Sequence, residues 1–232
     1  ETNFVKLNKN VASSTVEILT PFSTTIGKLP TGIKEISIKP DGSKIFYYTL
    51  NGTYSNWFVS NPDGTNSNLV NSNPLTEWLP KWVSGNIVMI QNKGSSKSVG
   101  YNYSFDVSSK VFKKIGLGVV GISSNPKPDG SLALLSNGGS SPKLFLIDNK
   151  EVTSKATNEN TLAEKCVWLK EKNPTALCAV PNGLPRGDYP DIWYKGLIST
   201  DDSIRRVDLS DNVSSNIADL YALSEEQIDV VD

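Results

Sequence analysis

The chain has 232 residues, of which 23 are basic, 24 are acidic and 38% are apolar. The balanced charge excludes the basic surface typical of nucleic-acid-binding proteins, and no apolar run approaches the roughly 18 residues of a membrane-spanning helix. The absence of histidine excludes a Ser-His-Asp or Cys-His centre built from this chain alone. It also removes the commonest zinc ligand, so we predict neither a metal site nor a cofactor.

The predicted elements begin at residues 4–29, whose apolar runs fit the later strands of an incomplete sheet. Further along, one pattern occurs four times: an alternating apolar run, a turn and a second apolar run. The four turn residues, which are separated by 43, 45 and 43 positions, are Gly42, Gly85, Gly130 and Asn173. A period in the low-to-mid forties, with strands and glycine turns, is typical of the four-stranded blade of a β-propeller.

We therefore predict an all-β fold, a β-propeller of four-stranded antiparallel blades, with four complete blades and partial blades at both ends. The complete blades are expected near residues 33–71, 75–116, 118–157 and 161–218. The partial blades are expected at residues 4–29 and 225–232, the latter as an innermost strand. Residues 1–232 are interpreted as one propeller domain or a fragment of one, in which the two ends pair or the parent protein continues.

Two cysteines lie on the first two predicted strands of the fourth blade. The midpoint between Cys166 and Cys178 falls inside the apparent hairpin turn, so the two residues are expected to lie directly opposite one another. Cross-strand Cβ atoms are then close to the separation that a disulfide requires. The alternative is a pair of buried free thiols. A disulfide predicts an oxidising compartment.

The fourth blade departs from the repeat because an insertion at residues 181–192 precedes its expected outer strands at 193–198 and 204–209. The insertion connects the second and third strands, so it belongs to the face of a propeller where ligands can bind. Its candidate ligand-binding residues are Arg186, Asp188, Tyr189, Asp191, Trp193 and Tyr194. Aromatic side chains combine a flat apolar face with a polar tip, which suits sugars and protein interfaces. The alternative is that the three aromatic residues only pack the insertion onto the blade.

Several segments are similar to a known group of propellers. They are residues 37–47, 76–82, 164–168 and 178–181, together with Tyr189-Pro-Asp-Ile-Trp-Tyr-Lys-Gly196. Over residues 30–232 the chain resembles uncharacterised β-propeller proteins of Patescibacteria-type bacteria, which are related to TolB-like and WD-repeat-like propellers. The resemblance implies an N-terminal membrane anchor and further strands after residue 232 in the parent protein. It implies no particular activity.

We predict a non-catalytic, extracytoplasmic binding module whose partner is a protein or a glycan at the cell surface. The first alternative is an architectural propeller of a larger envelope assembly. The second is a glycosidase or lyase that uses carboxylates and needs no histidine. Its candidate carboxylates are Asp188, Asp191, Asp201 and Asp202.

Overall fold

The computed structural model describes residues 4–9, 14–19, 24–150 and 153–230, with side chains from residue 28 onward except that of Leu117. Among these residues, no helix has both the length and the apolar character needed to cross a membrane.

The described strands form one three-stranded sheet and four four-stranded sheets, and within each sheet the strands follow one another in chain order. The first sheet contains β1 (Phe4–Lys9), β2 (Ser14–Leu19) and β3 (Thr24–Leu29). The second contains β4 (Ile33–Ile38), β5 (Ile45–Asn51), β6 (Tyr54–Ser60) and β7 (Asn68–Asn73). The third contains β8 (Trp78–Ser84), β9 (Ile87–Asn92), β10 (Val99–Asp106) and β11 (Phe112–Val120). The fourth contains β12 (Ser123–Pro126), β13 (Leu132–Ser136), β14 (Leu144–Asp148) and β15 (Ser154–Ala156). The fifth contains β16 (Cys166–Trp168), β17 (Thr175–Pro181), β18 (Asp202–Asp208) and β19 (Val213–Asp219).

The predicted fold class, a propeller of four-stranded antiparallel sheets, is confirmed. In the described part of the chain, two short α-helices and one 3-10 helix (Ala163–Lys165) accompany the strands. The α-helices are α1 (Asp191–Tyr194) and α2 (Leu220–Ser224). The strand expected at residues 193–198 is wrong, because α1 begins directly after Pro190 and the third strand of the fifth sheet starts only at Asp202. Proline is compatible with the start of a helix, where its missing N–H costs nothing. The connection between β17 and β18 therefore spans residues 182–201 and is longer than the insertion expected at residues 181–192. From here on, the insertion means residues 182–201.

The innermost strand expected at residues 225–232 is not formed in its described part, residues 225–230. Their main chain is held instead at the start of β18, where the Asp202 N–H donates to the Ile228 carbonyl over 3.1 Å. The Val230 N–H donates to the Asp202 carboxylate over 2.8 Å. Residues 231 and 232 lie outside the described part of the chain.

The chain forms two compact units. The first unit comprises Glu1–Ile90 and Tyr103–Lys114, and the second comprises Gln91–Asn102 and Ile115–Asp232. In the first unit the Trp57 ring contacts Trp78 and Phe105 edge-on, at centroid distances of 5.4 and 5.2 Å. This is the arrangement that aromatic quadrupoles favour.

The core of the second unit is aliphatic and includes both cysteines. Its buried residues are Leu134, Leu144, Ala163, Cys166, Ala176, Cys178, Val180, Val207 and Leu209. Ala176, Cys178 and Val180 occupy alternate positions of β17 and therefore point to the same face of the sheet.

Two hairpin turns repeat the sequence Lys-Pro-Asp-Gly-Ser, at residues 39–43 and 127–131. In both turns the glycine has φ of +73°, a backbone conformation that glycine adopts without strain. The Asp41 carboxylate accepts hydrogen bonds from the Lys39 ammonium and from the Ser43 N–H, over 2.6 and 2.9 Å. The hydrogen bond from Lys39 is the main reason that the pKa of Asp41 is lowered to about 2.

Candidate functional site

Three connections between second and third strands occur in the second unit: residues 93–98, 137–143 and the insertion. The insertion contacts both of the other connections. It also contacts Glu164 and Asp229, which lie in two further segments of the chain. We call the surface built from residues 93–98, 138–143 and 182–201 the insertion face.

Tyr189 attaches the insertion to the connection of the fourth sheet. Its main chain exchanges two hydrogen bonds of 3.0 Å with Gly139, and its hydroxyl donates to the Pro185 carbonyl over 3.1 Å. The side chain is only 1% exposed. A Cβ on Gly138 would lie 2.5 Å from the Tyr189 carbonyl oxygen, so glycine is required for this close approach. Tyr189 was predicted to contact a ligand, but its burial makes it a support of the insertion instead.

The two candidate aspartates of the insertion bind the connection at residues 93–98. The Asp191 carboxylate accepts from the Ser96 N–H and from the Ser95 hydroxyl. Burial alone would raise the pKa of Asp191, but these hydrogen bonds outweigh burial and hold the pKa below its ordinary value. Asp188 forms an ion pair with Lys97 at 2.7 Å, in which both side chains remain largely exposed.

Trp193 and Tyr194 lie side by side in α1, with ring centroids 5.7 Å apart. The Trp193 indole N–H donates to the Asp229 carboxylate, and the Tyr194 hydroxyl donates to Glu164 over 2.5 Å. Burial, together with the neighbouring Glu164 charge, raises the pKa of Tyr194 far above its ordinary value. Both side chains are half-buried, so their polar tips are engaged within the protein while parts of their rings reach the surface.

A buried ionic cluster lies beneath α1. The Lys165 ammonium is 2.7 Å from a carboxylate oxygen of Asp202 and 2.7 Å from one of Asp229. It also donates to the Thr200 hydroxyl over 2.6 Å, and it lies 5.6 Å from the centroid of a Trp193 ring. The side chains of Lys165 and Asp202 are 2% and 0% exposed. Burial would raise the pKa of Asp229, but the hydrogen bond from Lys165 helps to hold that pKa below its usual value.

The ionic cluster was not anticipated from the sequence. Lys165 and Asp229 are 64 positions apart, and each stands in a segment without a recognisable motif. The only available signal was a charged residue directly before the apolar strand that contains Cys166.

The four carboxylates considered for a glycosidase or lyase have separate partners. Asp188 pairs with Lys97, Asp191 binds two serines, and Asp202 belongs to the ionic cluster. Asp201 is near Asn182, whose amide donates to it over 3.2 Å. These contacts favour structural roles over a shared acid-base cleft.

The outward side of the insertion carries exposed residues of several types. Arg186 and Lys195 are exposed, and Leu197 is 69% exposed. Lys93, from the neighbouring connection, is also exposed, and its ammonium lies 5.2 Å from the Tyr194 ring centroid. Of the six candidate residues, Arg186 and Asp188 are thus exposed, Asp191, Trp193 and Tyr194 are partly buried, and Tyr189 is buried.

The predicted disulfide between Cys166 and Cys178 is confirmed. The two residues are direct partners in the antiparallel register of β16 and β17, as the hairpin argument required. The disulfide joins the strand that follows Lys165 to the strand that leads into the insertion. It therefore covalently connects the ionic cluster, at Lys165, to the strand from which the insertion begins.

Comparison with solved structures finds several proteins with the same architecture. TolB from Acinetobacter baumannii superposes with a TM-score of 0.66 at 10% identity, over 93% of this chain and 51% of TolB. The β-propeller domain of the Trilobed protease from Pyrococcus furiosus gives a TM-score of 0.60 at 12% identity, over 99% of this chain and 69% of that domain. An oligogalacturonate lyase in complex with manganese gives 0.62 at 8% identity, over 89% of this chain and 62% of the lyase.

The fold is that of a β-propeller. At these identities the similarity concerns the fold alone, and the chain spans about half the length of TolB. No family model matches the sequence, and the comparison with curated proteins finds no match.

Proposed function

We propose that this protein is a non-catalytic, extracytoplasmic binding module that recognises a protein or glycan partner at the cell envelope through its insertion face. The observation that carries the proposal is the fixation of the insertion on several sides. Gly139, Ser95, Ser96 and the ionic cluster all hold a connection that projects Arg186 to the outside. A rigid connection loses little conformational entropy on binding, which favours its use as a recognition surface.

The exposed side chains of the insertion face suit a polar partner that also has apolar surface. Arg186 and Lys195 supply charged donors, while Leu197 and the accessible parts of Trp193 and Tyr194 supply apolar contact. Arginine and aromatic residues are enriched in the energetically dominant part of protein interfaces. The same combination suits a sugar ring with hydroxyl groups around an apolar face.

The disulfide supports the extracytoplasmic location, because disulfides persist in oxidising compartments. The TolB-like fold is compatible with this location. We also propose that the chain is related to Patescibacteria-type and WD-repeat-like propellers. That relationship implies a membrane anchor in the parent protein. We further propose that residues 1–232 form one propeller domain or a fragment of one.

The test is a pull-down from envelope extract together with a glycan array. Three single variants remove exposed groups of the insertion: Arg186→Ala, Lys195→Ala and Leu197→Ala. The matched control is Lys172→Ala, because Lys172 is also exposed but lies in the turn between β16 and β17. We expect the insertion variants to weaken an interaction made by the unsubstituted chain by about tenfold or more. The control variant should keep that interaction. Full retention by all three insertion variants would exclude the insertion face as the binding site.

A further inference from the structure

A second candidate site lies in the second unit, away from the ionic cluster. It is a cavity of about 260 Å³ between one face of the fourth sheet and the end of β11. The fourth sheet contributes Leu135, Phe145 and Ile147, which share one face because Leu135 pairs with Phe145 in the register. Ile115 and Val119 form the opposite apolar wall.

Two asparagines bring hydrogen-bonding groups to this cavity. Asn102 is only 7% exposed, and its side-chain oxygen accepts from the Ser124 hydroxyl over 3.0 Å. The side-chain oxygen of Asn137 accepts from the Lys143 N–H over 2.8 Å. Within the described ranges of the chain, neither asparagine has a hydrogen-bond acceptor for its amide nitrogen. Both asparagines line the cavity, so their amide groups are available to donate to an acceptor atom of a ligand.

The chemistry of the remaining lining restricts the ligand further. Among the described residues, no lining side chain carries a charge. A charged ligand would lose its hydration there without compensation, which is strongly unfavourable. An apolar cavity of about 150 Å³ is large enough for benzene, so the larger cavity found here accommodates an aromatic ring with a short substituent.

We propose that this cavity binds a small uncharged molecule with an apolar body and a carbonyl-type acceptor oxygen. The apolar body lies between Phe145 and Val119, and the oxygen accepts from the amides of Asn102 and Asn137. The cavity adjoins the insertion face at Asn137, but none of its lining residues belongs to that face, and its existence does not rest on the proposed binding function.

The test uses acetophenone as the probe and benzoate as its charged counterpart, with the 232-residue chain followed by two-dimensional NMR. We expect acetophenone to shift the signals of Gly116, Gly118 and the Asn137 side-chain amide in a saturable way. The affinity for benzoate is expected to be lower by at least about tenfold, because the benzoate carboxylate must be desolvated. Absence of saturable shifts up to about 10 mM acetophenone, an affinity limit appropriate to so small a ligand, would overturn the proposal.

Two variants locate the binding site. Val119→Trp fills the cavity and is expected to abolish acetophenone binding. Val120→Trp is the matched control, since Val120 is the adjacent residue on the same strand and is 46% exposed. Asn137→Asp keeps an oxygen acceptor for the Lys143 N–H but removes the amide donor, so it should weaken acetophenone binding by about tenfold. Unchanged binding by Asn137→Asp overturns the proposal even if Val119→Trp does not fold.

Discussion

Removal of the Lys165 ammonium tests the energetic role of the ionic cluster. In Lys165→Met the side-chain volume is nearly conserved, but the Asp202 carboxylate, which is 0% exposed, loses the cation at 2.7 Å. Breaking a buried ion pair by removing one partner costs about 3–5 kcal/mol, because the remaining charge stays buried without compensation. We therefore expect the free energy of unfolding to fall by about 3–5 kcal/mol.

The assay is equilibrium unfolding in guanidinium chloride, followed by tryptophan fluorescence. Lys97→Met is the matched control, because Lys97 and Asp188 form a pair of the same length with side chains 78% and 59% exposed. Such an exposed pair contributes little to stability, because both charges remain hydrated. The double variant Lys165→Met/Asp202→Asn should recover part of the lost stability, since the uncompensated charge is removed with the lysine. A loss of less than about 1 kcal/mol in Lys165→Met would refute the reasoning.

Three further predictions concern the disulfide, the glycine contact and the repeated turn. Reduction of the disulfide, whose cysteines are 12 positions apart, should lower the free energy of unfolding by about 3 kcal/mol through the entropy of the opened loop; identical unfolding midpoints with and without dithiothreitol would contradict this. Gly138→Ala places a Cβ against the Tyr189 carbonyl and should destabilise the protein by about 1–3 kcal/mol and speed proteolysis of the insertion, whereas Gly183→Ala, which meets nothing within 4 Å, should do neither. The pKa of Asp41 is lowered to about 2 chiefly by its hydrogen bond from Lys39, so its stabilising contribution is complete above about pH 4 and is lost between about pH 4 and pH 2. An NMR titration of its carboxyl carbon with a midpoint near the unperturbed value would disprove the last of these.

Features that depend on neighbours along the chain could be predicted from the amino-acid sequence. Turn glycines at a spacing of 43 and 45 residues predicted four-stranded sheets, because φ > 0 turns and alternating apolar runs are local properties. The disulfide was predictable for the same reason, since the register of a hairpin follows from its turn. The candidate segment was recognisable in the sequence because it is the place where the repeat is interrupted.

The roles of the side chains in that segment depend on contacts between distant parts of the chain. Tyr189 is buried, and its main chain pairs with Gly139. Trp193 lies in α1 instead of a strand, and its indole N–H donates to Asp229. These partners are tens of residues apart, so neither periodicity nor turn chemistry encodes their proximity. The ionic cluster has the same origin, because Lys165 is buried only where the segments that carry Thr200, Asp202 and Asp229 pack against it. Strands and hairpins thus follow from local steric rules, whereas the insertion face and its buried charges follow from the packing of sheets against one another.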